Sequence, residues 1–338
     1  MRAVALTKYL PINHPESLLD MELPRPAQPS GHDLLVRIEA IAVNPVDFKI
    51  RAPKDTVEAN PKILGWDAAG VVEAVGESVT LFQPGDKVYY AGDITRQGSN
   101  AEYQLVDERI VGPMPTTLDY TAAAALPLTA ITAWEALFER LRLDRHGRDA
   151  GKTLLIVGGA GGVGSIAIQL AKLAGLKVIA TASRPESRAW CQTLGADHVV
   201  RHGSELLDAV RAEGFAQVDY IFCTSDTDAY FDTLAELVAP QGGIVSIVEA
   251  AKPHDIEKLK AKSAFFAWEM MFTRSLFQTA DMIEQHRLLV EVARLIDNGT
   301  LKTTLGEKLG SINAANLRRA HALLEEGKVI GKLVLTGF

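Results

Sequence analysis

The chain has 338 residues, of which 47% are hydrophobic and 23% charged, with a net charge of -7 and a pI near 5.7. This composition is ordinary for a globular protein with room for two domains, and the acidic balance disfavours a nucleic-acid surface. We find no signal-peptide core and no apolar run of membrane-spanning length, and two cysteines cannot form a disulfide framework. We therefore expect a cytoplasmic protein that binds neither nucleic acid nor membrane.

The first third of the chain is rich in short β-prone runs separated by Gly, Pro and Asp. The predicted strands are Leu34–Ala42, Ala69–Val75, Lys87–Ala91 and Ala101–Val106. Helix formers follow from about Thr121, with predicted helices at Ala122–Leu126 and Ala133–Leu141.

Strands and helices alternate in the middle of the chain. The predicted strands are Leu154–Val157, Lys177–Thr181, His198–Val200, Val218–Cys223 and Gly243–Val248. The predicted helices between them are Ser165–Ala174, Pro185–Leu194, Glu205–Ala212 and Ala229–Val238. Such alternation indicates an α/β fold with a doubly wound parallel sheet covered on both faces.

A glycine-rich loop joins the first of these strands to the first helix and fits the pattern G-x-G-x-x-G. Strand, glycine turn and helix in this order are the signature of dinucleotide binding. The glycines allow a tight turn and close approach to a pyrophosphate, while the helix N-terminus supplies N–H groups and a positive dipole end. The candidate cofactor-binding residues of the loop are Gly159, Ala160, Gly161, Gly162, Val163 and Gly164.

The second strand of the alternating region ends without the acidic residue that NAD-preferring sites usually carry. It is followed by Ser183 and Arg184, a pair that suits the 2′-phosphate of NADPH, and Arg188 lies one helical turn further. The alternative is that both arginines are solvated at a helix start. Because cofactors lie at the carboxyl ends of such strands, we expect the nicotinamide near Cys223, Ser246 and Val248.

The C-terminal segment contains two predicted helices, Met282–Asn298 and Ala314–Glu326, and a final β-prone run, Lys332–Thr336. The final run is too short to stand alone. We therefore expect residues 269–338 to complete a domain formed by residues 1–125, with residues 126–268 as the dinucleotide-binding domain. The active site would then lie in the cleft between the two domains.

Five motifs in order and spacing give the chain a family resemblance nearly end to end. They are Ala42-Val43-Asn44-Pro45-Val46-Asp47, Gly65-Trp66-Asp67-Ala68-Ala69-Gly70, Gly85-Asp86-Lys87-Val88, the glycine loop and Gly331-Lys332-Leu333-Val334-Leu335. The chain resembles the zinc-independent quinone oxidoreductase (zeta-crystallin-like) branch of the medium-chain dehydrogenases/reductases. The resemblance implies a Rossmann domain, a β-rich GroES-like catalytic domain, a nicotinamide cofactor with Lys332 near its phosphates, and a homodimer built on an edge strand at Ala264–Trp268.

The chain departs from the zinc-dependent members of that family at the metal ligands. Those relatives carry cysteine where this chain has Asn44, histidine where it has Trp66, and a second cysteine near Leu128. None of these three side chains can build a tetrahedral N/S zinc site. We expect no metal, and a zinc-dependent alcohol dehydrogenase is the disfavoured alternative.

Five residues are candidates for the catalytic pocket, each with a structural alternative. Asn44 could hydrogen-bond a substrate carbonyl or the nicotinamide ribose, or cap the turn before Pro45; Asp47 could orient Asn44 or a water, or cap a short helix. Lys49, which stands where many relatives of this branch have a tyrosine, could donate to an oxyanion or be solvated. Trp66 could form a wall of the pocket or pack in the core, and Thr129 could touch the carboxamide or cap the helix that follows.

Without a metal, the substrate must already be electrophilic, which favours quinones and α,β-unsaturated carbonyls (enones). We therefore expect an NADPH-dependent oxidoreductase that transfers hydride to a small-molecule quinone or enone. Reduction of enoyl thioesters is a second enzymatic possibility. A catalytically weak NADPH-binding protein with a structural or RNA-binding role is the alternative from another class.

Overall fold

The computed structural model describes residues 1–338 and divides into two compact units. The first unit comprises Met1–Leu128 and Phe272–Phe338, and the second comprises Thr129–Met271. The sequence predicted domain boundaries after residues 125 and 268, three residues before the observed ones.

The secondary structure consists of sixteen strands and ten α-helices. The strands are β1 (Arg2–Tyr9), β2 (Leu19–Glu22), β3 (Asp33–Val43), β4 (Lys54–Ile63), β5 (Asp67–Val75), β6 (Lys87–Tyr90), β7 (Tyr103–Asp107), β8 (Val111–Pro113), β9 (Thr153–Val157), β10 (Lys177–Thr181), β11 (His198–Val200), β12 (Val218–Cys223), β13 (Val238–Ser246), β14 (Phe265–Trp268), β15 (Leu305–Lys308) and β16 (Lys332–Thr336). The helices are α1 (Pro45–Arg51), α2 (Tyr120–Ala124), α3 (Pro127–Trp134), α4 (Gly162–Leu173), α5 (Pro185–Thr193), α6 (Leu206–Ala212), α7 (Thr227–Leu237), α8 (Thr273–Phe277), α9 (Ile283–Asp297) and α10 (Ala314–Glu325).

The first unit is built on a seven-stranded sheet in which β16, from the end of the chain, pairs antiparallel with β3. Its order is β15-β16-β3-β5-β6-β8, with β7 also pairing with β3, and a separate three-stranded sheet has the order β2-β1-β4. The register places Leu333 opposite Val43 and Ala42 opposite Asp67. The end of β3 and the starts of β5 and β16 therefore meet at one corner of the sheet.

The second unit is a parallel sheet of six strands in the order β11-β10-β9-β12-β13-β14. Leu154 to Val157 of β9 are all buried, as expected for a central strand that has helices on both faces. This sheet confirms the predicted fold class. The register aligns Val157, Cys223, Ser246 and Trp268 along its carboxyl edge.

Local structure departs from the sequence expectation most clearly at three places, and strands β2, β4, β8 and β15 were also not predicted. β1 was not predicted, because its residues alternate too little to show a clear period. β13 ends at Ser246 and begins earlier than expected, at Val238. The predicted helix Ala133–Leu141 is instead the end of α3 followed by a π-helical turn, Glu135–Arg140, which a 3.6-residue period cannot reveal.

One helical stretch, Tyr120–Arg140, has the length and mean hydropathy of a membrane span. This corrects the expectation that no apolar run reaches that length. However, 89% of its most apolar window is buried inside the protein, and the core helix of a soluble protein meets the same criteria. The stretch is therefore weak evidence for a membrane segment.

Candidate functional site

The glycine loop of the second unit is a backbone cradle in which side chains have no room. Gly158 has φ +91°, a conformation that disfavours other residues. A Cβ on Gly159 would lie 2.8 Å from the Cβ of Ala180 on β10, and one on Gly164 would lie 2.3 Å from the carbonyl oxygen of Gly158. The loop is thus packed against β10 on one side and against the first turn of α4 on the other.

The open side of the loop faces away from these contacts. A Cβ on Gly161 would meet its nearest atom, the Gly158 oxygen, at 3.6 Å, and Gly161, Gly162 and Val163 are all partly exposed. Gly161 is the N-cap of α4, and it has no side chain that could accept from the N–H groups of the first turn. These N–H groups are the donors that a helix N-terminus offers to an anion.

Two threonines at strand ends hold the loop in place. The Thr181 hydroxyl accepts from the Gly158 N–H at 2.9 Å, and its carbonyl accepts from the Gly159 N–H at 3.1 Å. The Thr224 hydroxyl donates to the Val157 carbonyl at 2.7 Å. Both come directly after apolar strand residues. A polar residue at the end of a strand is the sequence signal that points to such a role.

The residues predicted near the nicotinamide lie together at the carboxyl edge of β12 and β13. Cys223 and Ser246 are adjacent in the register, and both side chains are buried. The Ser246 hydroxyl is 2.6 Å from the Thr227 hydroxyl, and the Val248 carbonyl accepts from Thr227 at 2.5 Å. Burial raises the pKa of the Cys223 thiol to about 11, so this thiol is uncharged at neutral pH.

The two arginines predicted for the 2′-phosphate lie at the start of α5, directly after β10. Arg184 is the N-cap residue, and its side chain is 41% exposed. The Arg188 guanidinium donates to the Ala182 carbonyl at 3.4 Å. Ser183 is partly exposed beside them. No acidic side chain stands at the end of β10, and the nearest recorded carboxylate, Glu186, is 4.0 Å from Arg184.

The first unit contains a buried polar cluster centred on an ion pair. The Lys332 ammonium lies 2.8 Å from Oδ2 of Asp67, with side-chain exposures of 3% and 0%. It also donates to the Val43 carbonyl at 3.1 Å and to Oδ1 of Asn44. All three N–H donors of this lysine are therefore directed at protein oxygens, so the alternative of a surface lysine is wrong. Its expected place near the cofactor's phosphates stays a prediction.

These contacts fix the orientation of the Asn44 amide. Its Oδ1 must face the Lys332 ammonium, which has only donors, and its Nδ2 donates to the Asp67 carboxylate at 2.8 Å. Asn44 is the N-cap residue of α1, but its side chain makes no capping hydrogen bond. The remaining Nδ2 hydrogen has only a long contact of 3.4 Å with the Ala42 carbonyl.

Asp47 lies one helical turn into α1 and contacts the same cluster. Its Oδ2 accepts from the backbone N–H of Asn44 at 2.7 Å. The side chain is buried, and burial raises the pKa of Asp47 to about 7, although the hydrogen bond from Asn44 and the charge of Lys332 lower it. Asp47 is the member of this cluster that holds a proton near neutral pH.

The other three catalytic candidates lie in different surroundings, and their roles stay predictions. Trp66 is fully buried, donates to the Asp93 carbonyl at 3.3 Å and packs edge-on against Phe272. Lys49 is exposed on α1. Thr129 is buried on α3, in the second unit.

Asp67, a member of the Gly65–Gly70 motif, is the centre of the first-unit cluster. It accepts from Asn44, Lys332 and the backbone N–H of Leu128, the last at 2.8 Å. The available signal was a buried carboxylate at the head of a mostly apolar strand, Asp67–Val75.

The donor set at this place does not fit zinc. Asn44 and Trp66 offer no N/S ligand. Of the two carboxyl groups in the cluster, Asp67 is already neutralised by the Lys332 ammonium, and Asp47 accepts from the Asn44 backbone N–H. No group of three or more His, Cys, Asp or Glu side chains in the chain is arranged to hold a metal ion.

Family models cover most of the chain. A model described as zinc-binding dehydrogenase matches residues 194–335, and one described as alcohol dehydrogenase GroES-like domain matches residues 30–116. A zinc-type alcohol dehydrogenase-like protein of Staphylococcus aureus is 46% identical over 312 residues, which is 92% of each chain. The chain therefore belongs to the medium-chain dehydrogenase/reductase family and is an oxidoreductase, as the sequence resemblance predicted.

The relatives of this chain include reductases. The 2-methylene-furan-3-one reductase of Solanum lycopersicum is 30% identical over 313 residues, covering 89% of this chain and 71% of that one. A quinone oxidoreductase of Rattus norvegicus is 35% identical over 204 residues, covering 60% of this chain and 59% of that one.

Solved structures share the whole fold. A Rhizobium etli protein assigned to the zinc-dependent alcohol dehydrogenases superimposes with a TM-score of 0.94 at 52% identity, covering 100% of this chain and 98% of that one. The mycobacterial protein Rv1454c, solved with NADPH, has a TM-score of 0.84 at 27% identity and covers 99% of both chains.

The geometry predicts that replacement by alanine is tolerated at one glycine of the loop and not at another. Gly164→Ala should destabilise the protein by about 1–3 kcal/mol, because its methyl group meets backbone atoms that cannot move aside. Gly161→Ala should cost less than about 1 kcal/mol, the loss expected from alanine at an N-cap. Urea unfolding of both variants measures the difference, and equal stabilities would contradict the packing described.

The raised pKa of Asp47 predicts a pH-dependent stability term. The folded protein holds this proton up to about pH 7, whereas the unfolded chain releases it near 3.8. The contribution is therefore complete below about pH 4 and is lost as pH rises to about 7, at up to about 1.4 kcal/mol per pH unit. In urea titrations from pH 4.5 to 8, Asp47→Asn should lack this decline. The exposed Asp55→Asn is the matched control, and parallel curves for wild type and Asp47→Asn would refute the assignment.

Proposed function

We propose that this protein is a cytoplasmic NADPH-dependent oxidoreductase that reduces quinones or α,β-unsaturated carbonyls without zinc. The observation that carries the proposal is the buried Lys332–Asp67–Asn44 cluster, in which an ammonium pairs with the Asp67 carboxylate. A pocket without a Lewis acid suits a substrate that is already electrophilic. The sequence relationship to 2-methylene-furan-3-one reductase and to quinone oxidoreductase supports the same substrate classes.

The residues of the second unit fit a dinucleotide. The glycine cradle leaves space only for a ligand at Gly161, and the first turn of α4 offers its N–H groups there. Arg184 and Arg188 supply positive charge at the end of β10, where an acid would be needed to bind a free ribose 2′-hydroxyl. The NADPH complex of the mycobacterial relative supports this assignment. When bound, the nicotinamide supplies hydride from its C4.

The protein's own contribution to the reaction is positioning, polarity and a proton. Hydride adds to the quinone ring or to the β-carbon of an enone, and the resulting oxyanion or enolate then takes a proton. Asn44 presents a neutral amide N–H whose direction is fixed by Asp67 and Lys332, so little reorganisation is needed as negative charge develops. Asp47 holds a proton near neutral pH and orients Asn44 through its backbone.

We also propose a homodimer that forms at the edge of the six-stranded sheet. β14 is an edge strand of that sheet, and it exposes Trp268 and Phe265. An exposed apolar sheet edge of this kind normally requires a cover.

NADPH oxidation by chelator-treated protein with 1,4-benzoquinone tests the reaction, after subtraction of the spontaneous rate and with NADH in parallel. We expect saturable turnover that favours NADPH and is unchanged by the chelator. Activity on alcohols that returns only with zinc would overturn the metal-free assignment. NADPH binding without turnover on any quinone or enone would identify a non-catalytic binding protein.

The cofactor assignment predicts that Arg184→Ala weakens NADPH binding by about tenfold to a hundredfold, the value of a charged hydrogen bond, and leaves NADH binding nearly unchanged. Gly161→Ala is the control, because its methyl group would crowd the pyrophosphate and weaken both cofactors alike. Titration of each cofactor by fluorescence gives the four dissociation constants. Equal losses for both cofactors in Arg184→Ala, or no loss, would refute recognition of the 2′-phosphate.

A further inference from the structure

Three ionisable side chains outside the predicted site meet inside the second unit. Glu135 and Arg140 lie at the two ends of the π-helical turn, and Glu269 follows β14 directly. The Glu135 and Glu269 side chains are 1% and 0% exposed, and Arg140 reaches them from the surface. The Arg140 Nε is 2.8 Å from Oε2 of Glu269, and its Nη2 is 3.8 Å from Oε2 of Glu135.

The π-helical turn is what brings Glu135 and Arg140 to the same side. In an α-helix, residues five apart point about 140° away from each other. A π-helical turn is wider, with hydrogen bonds between residues five apart, as in the bond from Leu141 N–H to the Ala136 carbonyl at 3.0 Å. Only this winding lets both side chains contact Glu269. Since π-turns are costly, the arrangement indicates that the contact matters.

The charges of this group balance only if one proton is present. One guanidinium faces two buried carboxyl groups, and each ionised carboxylate left without a counter-charge in such a place would be strongly destabilising. Both carboxyl groups contact the same guanidinium in a buried place, so the charge of one acts on the other. Burial, reinforced by the charge of Glu135, raises the pKa of Glu269 to about 9.

We propose that Glu135 and Glu269 share one proton and that this neutral assembly with Arg140 positions the carboxyl edge of β13 and β14. The backbone N–H of Glu269 donates to the Ser246 carbonyl at 2.9 Å, which ties the group to the strand end where the nicotinamide is expected. Glu135 continues the helix that carries Thr129. The link to the cofactor rests on the proposed function, whereas the shared proton does not.

The surroundings of the pair contribute few other charges. Glu139 is 3.9 Å from Nη1 of Arg140, on the surface side of the guanidinium. β13 and β14 carry no ionisable side chain over Val238–Ser246 and Phe265–Trp268. The charges that face the pair from these elements are therefore those of Arg140 and, on the surface side, Glu139.

Glu269→Gln tests the shared proton, because glutamine reproduces the shape and neutrality of the protonated acid. Between pH 5 and 9 the folded wild type holds a proton that the unfolded chain has released, so its unfolding constant should rise about tenfold per pH unit relative to Glu269→Gln. Glu135→Gln should remove the same slope, since one carboxylate then faces one guanidinium. Glu139→Gln is the matched control and should follow the wild type. Parallel wild-type and Glu269→Gln profiles would overturn the proposal.

The wild type alone gives a second test, in case the variants do not fold. At pH 8 Asp47 and His321, whose pKa is lowered to about 3, are already deprotonated in both states, so unfolding in weak buffer should release about one proton from the pair. Release near zero would overturn the shared proton.

The positioning role is tested by NADPH titrations from pH 8 to 10. We expect wild-type affinity to fall severalfold over this range as the pair loses its proton, while Glu269→Gln keeps its affinity. Equal profiles would refute the positioning role. Failure to bind NADPH at any pH would refute the proposed function, and the unfolding measurements would still decide whether the proton is shared.

Discussion

The buried ion pair between Lys332 and Asp67 is the constraint on which the first unit depends. It joins the start of β16 to the start of β5, and the same ammonium holds the Asn44 amide and the end of β3. Removing one partner of such a pair costs about 3–5 kcal/mol, because the other charge is left buried and uncompensated. One interaction thereby links the last strand of the chain to the rest of the sheet, fixes the direction of the polar group at the candidate site and neutralises the Asp67 carboxylate.

The sequence predicts the architecture well and this cluster only in part. Alternating apolar runs and amphipathic helices identify the parallel sheet, and the strand–glycine–helix order identifies the cradle, because both signals are local. Lys332 and Asp67 are 265 residues apart, and their contact follows from strand register, which no local pattern specifies. A lysine in the run Gly331–Leu335 therefore looks equally like a surface residue or a cofactor ligand until β16 is paired with β3.

Because local patterns do not show long-range contacts, the π-helical turn could not be predicted either. Residues 133–141 have the composition of an ordinary helix, and nothing in their periodicity indicates a wider turn. The reason for it lies more than a hundred residues away, in a glutamate that follows the edge strand. Polar residues placed by long-range contacts are the part of the site that sequence patterns miss, whereas glycines needed for backbone geometry, such as Gly158 at φ +91°, are visible because their cause is local.

The two units present hydrogen-bond donors to negative charge in different ways, and the difference affects which ligands each unit suits. The glycine cradle presents backbone N–H groups, which cannot titrate and suit a phosphate that is always charged. The cluster around Asn44 presents a neutral amide held by a fully neutralised ion pair, beside an acid that can hold a proton. A dication stabilises localised charge such as an alkoxide, whereas a rigid neutral donor suits the spread charge of an enolate or a quinone oxyanion. Under the proposed function, the internal ammonium beside Asp67 therefore favours substrates that need no metal, while the fold itself is unchanged.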